Sequence, residues 1–142
     1  MPNRKATARW EGTLTSGNGE LSVESGAFKG RYSYGSRFEN QPGTNPEELL
    51  GAAHAGCFSM ALSLLIEKAG FTPKRVDTRA DVTIEKIGDE FKISGITLNT
   101  TAEAPGMDDS TFQQQAQAAK KNCPVSRALQ AVDIHLSAEL VA

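Results

Sequence analysis

The chain has 142 residues, enough for one domain around a single core. Its net charge of −2 and pI near 5.7, with basic residues scattered rather than striped, exclude a surface built for nucleic acid or anionic lipid. The opening MPNRKATARWEG has no apolar run of the secretory kind, so the expected compartment is the cytoplasm, where thiols stay reduced.

Residues Lys5 to Leu14 alternate (Ala6, Ala8 and Trp10 against Lys5, Thr7 and Arg9), the period of a half-buried strand. Ser16-Gly17-Asn18-Gly19 is a turn signal, and Glu20 to Ser25 reads as the returning strand of a hairpin. Phe28 to Tyr34 is a candidate third strand. Gly35 to Thr44 reads as a polar loop that carries Arg37 and delivers the chain into a long helix.

That helix, within Thr44 to Gly70, has a full start signature: Asn45 as cap, Pro46 in the first turn, and Glu48 placed to close a capping box onto Asn45. Lys68-Ala69-Gly70 is a stop signal. No charge falls between Leu49 and Ile66, and Leu50, Phe58, Met60, Leu62, Leu64 and Leu65 cover every side. Such a helix is expected to be buried all round. The run barely reaches the ~18 residues of a membrane span and is broken by Gly51, His54, Gly56, Ser59 and Ser63, so it reads as the centre of a soluble core.

Beyond it, Arg75 to Ile87 alternates with β-branched enrichment, Gly88-Asp89 turns the chain, and Phe91 to Leu98 returns with a bulge expected near Gly95. Asp108 to Lys121 is a second helix, with acids first and lysines last as the macrodipole favours. Cys123-Pro124 starts a short helix through Leu129, and Val132 to Val141 closes as a strand. The order predicts a single α+β domain over residues 1–142. One small sheet covers only one side of an all-apolar helix, so a partner subunit packing its own central helix there is expected, as an obligate homodimer.

The chemistry-bearing residues leave several readings open. Cys57 and Cys123 lack CxxC spacing, which removes thioredoxin-like motifs and the common zinc patterns. Cys57, in mid-helix, is either a small core hydrophobe or a thiol that some cation must activate, since burial alone raises a thiol pKa. Arg37, in the loop feeding the helix, is the cation the sequence offers. Cys123, at the start of a short helix, is either a plain cap or a thiol acidified by backbone N–H groups, which on the residues alone makes it the more acidic of the two. His54, one turn before Cys57, is either a satisfied core histidine or a base for it. A zinc site from His54, Cys57 and Cys123 lacks a fourth ligand.

TNPEELLGAAHAGCFSMALSLL, together with NCPVSRAL around Cys123, resembles the OsmC/Ohr family of organic hydroperoxide reductases. GAAHAGCFSMALS and GFTPKRVDTRADV are closer to its OsmC (osmotically inducible protein C) branch, and the likeness runs from ARWEG to the last strand. The resemblance implies an OsmC-like fold of antiparallel sheets around a long buried central helix in an intertwined homodimer. It further implies a two-cysteine peroxidase without metal, haem or other cofactor. In that scheme Cys57 is the peroxidatic thiolate and Cys123 the resolving thiol, joining through a sulfenic acid into a disulfide that an external dithiol reduces. Lipoyl-bearing proteins are the reductant that the Ohr branch suggests. Arg37 then holds the thiolate and donates to the peroxide, Glu47 fixes the guanidinium, and Glu48 remains the capping acid.

Glu47 and Cys57 lie ten positions apart, so one straight helix separates them by ~15 Å. Arg37 and Glu47 are therefore expected to serve the Cys57 of the partner subunit. The apolar neighbours Leu50, Phe58 and Met60 suit organic hydroperoxides better than hydrogen peroxide. The alternatives are a non-catalytic dimer that senses oxidation or binds a small apolar molecule, and a thiol hydrolase using Cys57 with His54.

Overall fold

The computed structural model describes residues 1–141. The chain forms two compact units, residues 1–49 and the chain from Leu50 onward.

The first unit holds a three-stranded antiparallel sheet of β1 (Ala6–Glu11), β2 (Asn18–Val23) and β3 (Lys29–Tyr32). Trp10 and Tyr32 face each other across it, ring centres 5.3 Å apart. The segment expected to be a polar loop after β3 instead begins with a short helix, α1 (Tyr34–Phe38). Its start is a capping box built from two serines. Ser33 Oγ accepts from the Ser36 N–H, and Ser36 Oγ accepts from the Ser33 N–H. A serine in place of the usual acid at the third helical position is why the helix is hard to read from sequence.

Helix α2 (Pro46–Lys68) starts in the first unit and runs through the second. Asn45 Oδ1 accepts from the Glu48 N–H at 2.8 Å, as a cap should. The Glu48 carboxylate, expected to reach back to the Asn45 backbone, instead accepts from Thr44 Oγ1 at 2.7 Å. The helix ends in a Schellman motif. Gly70 has φ +96, the Phe71 N–H donates to Ile66 O, and the Gly70 N–H donates to Glu67 O.

In the second unit, β4 (Arg75–Ile87), β5 (Glu90–Glu103) and β6 (Asp133–Val141) form a sheet in that order. Residues of β4 alternate between exposed and half-buried, while the central strand β5 buries Ile96, Leu98, Thr100 and Ala102. The register shifts between Thr83 and Ile84, whose partners are Gly95 and Ile93, so the bulge sits beside Gly95 as expected. Strand β6 lies parallel to β5, not antiparallel. A parallel neighbour requires a crossover, and α3 (Asp109–Asn122) and α4 (Pro124–Ala128) supply it. Asp108 caps α3 through both carboxylate oxygens, to the Thr111 N–H and hydroxyl.

The core of this unit joins Phe58, Leu62 and Ile66 of α2, the buried face of β5, Phe112, Ala116 and Ala119 of α3, and Cys123. Gly51, on the same α2 stripe, packs against β4, since a Cβ there would lie 3.4 Å from the Ala80 carbonyl oxygen. The expectation that α2 is buried all round needs correcting. Among the described residues of α2 a Glu47–Gly51–His54–Phe58–Leu62–Ile66 stripe is buried, whereas Met60 is 77% and Leu64 50% exposed. An apolar composition on every side describes what the helix can bury, and a single chain supplies one wall.

Helix α3 depends on one large anchor, since its other buried side chains are alanines. Phe112→Ala is expected to lower unfolding stability by about 3–5 kcal/mol, and Gln117→Ala, on the exposed face, by no more than about 0.5 kcal/mol, as read from urea midpoints.

Candidate functional site

In the second unit, the α3–α4 junction sets Cys123 against α2. Cys123 is at once the C-cap of α3 and the N-cap of α4, and it is fully buried. Its thiol donates to Cys57 Sγ at 2.9 Å, and both cysteines are free. Cys57 is half-buried, so one side of its sulfur is open while its neighbour's is not.

The surroundings of the two sulfurs differ. Cys123 makes no side-chain capping bond to α4. The backbone N–H of Val125, in the first turn of that helix, instead faces Cys57 and favours its anion. Burial pushes the Cys57 thiol up and the hydrogen bond with Cys123 adds to this, while the Val125 N–H acts the other way without overcoming them. Within one chain, then, Cys57 is a protonated thiol already provided with one donor for its anion.

His54 is fully buried one turn before Cys57, and its Nε2 bonds to Ser126 Oγ at 2.6 Å. Burial lowers its pKa and keeps the ring neutral. Ser126 and Val125 carry no signal in the sequence, because nothing local says that a short-helix serine meets a histidine far upstream.

The other two expected residues meet in the first unit. Arg37, in the last turn of α1, donates through Nε to Glu47 Oε1 and Oε2 at 3.0 and 3.2 Å and through Nη2 to Oε1 at 2.7 Å. The Glu47 side chain is 7% exposed and the Arg37 side chain 34%, so the carboxylate is a buried anchor for a guanidinium that still reaches solvent. The guanidinium carbon lies 5.1 Å from the Phe38 ring centre. It lines a cavity of about 220 Å³ with Trp10, Leu14, Tyr32, Ser33, Tyr34 and Phe38. The aromatic wall of this cavity was not foreseen, since its members come from three separate elements.

Residues 38–137 match the OsmC-like protein family. The chain belongs to that family. It is 50% identical over 130 residues to the peroxiredoxin OsmC of Escherichia coli, covering 91% of both chains. It is 33% identical over 103 residues to the organic hydroperoxide resistance protein OhrB of Bacillus subtilis, covering 69% of this chain and 71% of that one. A crystal structure of an organic hydroperoxide resistance protein from Elizabethkingia anophelis shares 25% identity and superposes with a TM-score of 0.75 over 99% of this chain and 98% of that one. The α+β architecture of the described residues, two sheets and four helices, is thus that of known OsmC/Ohr structures.

The neutral buried histidine has a measurable signature. In the unfolded chain His54 takes up a proton below about pH 6.5, whereas the folded protein resists it, so this residue contributes a loss of stability as pH falls through that range. Urea midpoints of the wild type should therefore drop more between about pH 7 and about pH 5 than those of His54→Gln; equal drops would contradict a buried neutral imidazole.

Proposed function

We propose that this protein is a thiol-dependent peroxidase of organic hydroperoxides, with Cys57 as the peroxidatic and Cys123 as the resolving thiol. The observation that carries the reading is the pair of sulfurs 2.9 Å apart, the half-buried one facing outward and the buried one waiting behind it. The names of its relatives, peroxiredoxin and organic hydroperoxide resistance protein, support the same class of reaction.

The Cys57 thiolate attacks one oxygen of the hydroperoxide, the O–O bond breaks, and the alcohol leaves with a proton, giving a sulfenic acid on Cys57. The Cys123 thiol then attacks that sulfur, a disulfide forms and water departs. An external dithiol, for which lipoyl-bearing proteins are the candidate class, returns both thiols.

The first step needs the thiolate, and burial opposes it, so a cation must supplement the Val125 N–H. Arg37 is that cation in this reading. It would stabilise the thiolate and donate to the peroxide as charge develops, oriented by the buried Glu47. Ten helical residues, ~15 Å, separate Glu47 from Cys57 along α2, which favours service to the Cys57 of the partner subunit. A homodimer with shared sites would also cover the apolar face of α2 around Met60 and Leu64.

Steady consumption of tert-butyl hydroperoxide with a dithiol present tests the reaction. The wild type should turn over many equivalents and Cys57→Ser none; a redox sensor would stop after one equivalent, and a thiol hydrolase would not require Cys123. Glu47→Gln, which leaves the guanidinium without a charged anchor, should lower kcat/KM by about tenfold or more, the worth of a charge-assisted bond. Mixing inactive Cys57→Ser chains with inactive Arg37→Ala chains should restore activity if the sites are shared; no recovery in the mixed dimers would refute the sharing.

A further inference from the structure

We propose that His54 and Ser126 act as a positioning pair that keeps Cys123 in register with Cys57, so that the oxidised Cys57 closes into a disulfide before a second peroxide reaches it. This rests on the peroxidase reading above and adds to it two residues without a reacting atom.

The geometry is a two-rung ladder between the same two helices. On α2, His54 lies one turn before Cys57; at α4, Ser126 lies one turn after Cys123. One rung is sulfur to sulfur at 2.9 Å, and the other is His54 Nε2 to Ser126 Oγ at 2.6 Å. Both members of the second rung are buried, His54 wholly and Ser126 to 4% exposure. Nδ1 of His54 has no partner among the described residues. A bare lone pair is tolerated in a core better than a bare N–H, so the proton sits on Nε2 and is donated to Ser126.

Helix α4 needs such a link. It is five residues long, far below the length at which a helix sustains itself, and its N-cap contributes no side-chain bond. Its place is set by tertiary contacts: Val125 and Leu129 against the core, the Val125 N–H on Cys57, and Ser126 on His54. Oxidation alters the bonds that involve the Cys57 sulfur. Once Cys57 is a sulfenic acid, its thiol-to-thiol hydrogen bond is gone, and the His54–Ser126 bond remains to hold Cys123 at the sulfur it must attack.

Two reactions then compete for the same species. In one, Cys57–SOH and Cys123–SH give the disulfide and water. In the other, Cys57–SOH and a second ROOH give the sulfinic acid and ROH, from which a dithiol cannot recover the enzyme. The first depends on where Cys123 sits and the second does not, so the ratio of products reports on positioning separately from overall activity.

The test uses reduced full-length protein treated with excess tert-butyl hydroperoxide, with intact mass separating the disulfide (two hydrogens lost) from the sulfinic acid (two oxygens gained). Ser126→Ala should raise the sulfinic-to-disulfide ratio by about tenfold, the equivalent of about 1.4 kcal/mol. His54→Asn, whose shorter amide withdraws the donor, should do the same. His54→Gln, which carries a donor near the Nε2 position, should restore the ratio to within about twofold of the wild type. A wild-type ratio in either folded loss variant overturns the proposal, even if that variant melts earlier, because the bond then serves stability alone. A wild type that forms neither product overturns the peroxidase reading itself, which is a different result.

Discussion

The contact on which the chemistry depends is the seating of the α3–α4 junction against α2. It brings two cysteines far apart in sequence to 2.9 Å and leaves one half-open and the other sealed. That seating follows from the sheet. Because β6 pairs in parallel with β5, the chain must cross over between them, and the crossover carries Cys123 to the helix that carries Cys57. Phe112, Ala116 and Ala119 bury the crossover helix in the same core as Phe58 and Leu62, so thiol placement and core packing are one problem.

Electrostatics work against the placement. A thiol drawn into an apolar site loses acidity, and a neighbouring protonated thiol adds to the effect. The single backbone N–H from Val125 is a partial remedy. An arginine clamped by a nearly buried glutamate, with an aromatic cavity at its side, has the opposite character: a fixed positive charge whose orientation is already determined. The reading proposed above asks the thiol pair for the nucleophile and an arginine so oriented for the charge that would ionise it.

Much of this was legible in the sequence. The bounds of β4 at Arg75 and Ile87, the bulge at Gly95, the acidic start of α3 and the Asn45-Pro46 start of α2 are local signals, each set by neighbouring residues. What was not legible is nonlocal. The residues of Val132 to Val141 mark a strand but not its partner's direction, and the expectation of antiparallel sheets came from the family resemblance alone. Two serines closing a box over Gly35 hide α1 from a search for acids. The Arg37–Glu47 pair came from family resemblance and meets in the structure as bonded partners.

The central claim is that these two sulfurs are made to join. Reduced protein given one equivalent of tert-butyl hydroperoxide, then digested and mapped by mass, tests it most directly. The account predicts a peptide containing Cys57 linked to one containing Cys123, with two hydrogens lost and the protein otherwise unmodified. Cysteines recovered unlinked, with the peroxide unconsumed, would contradict it.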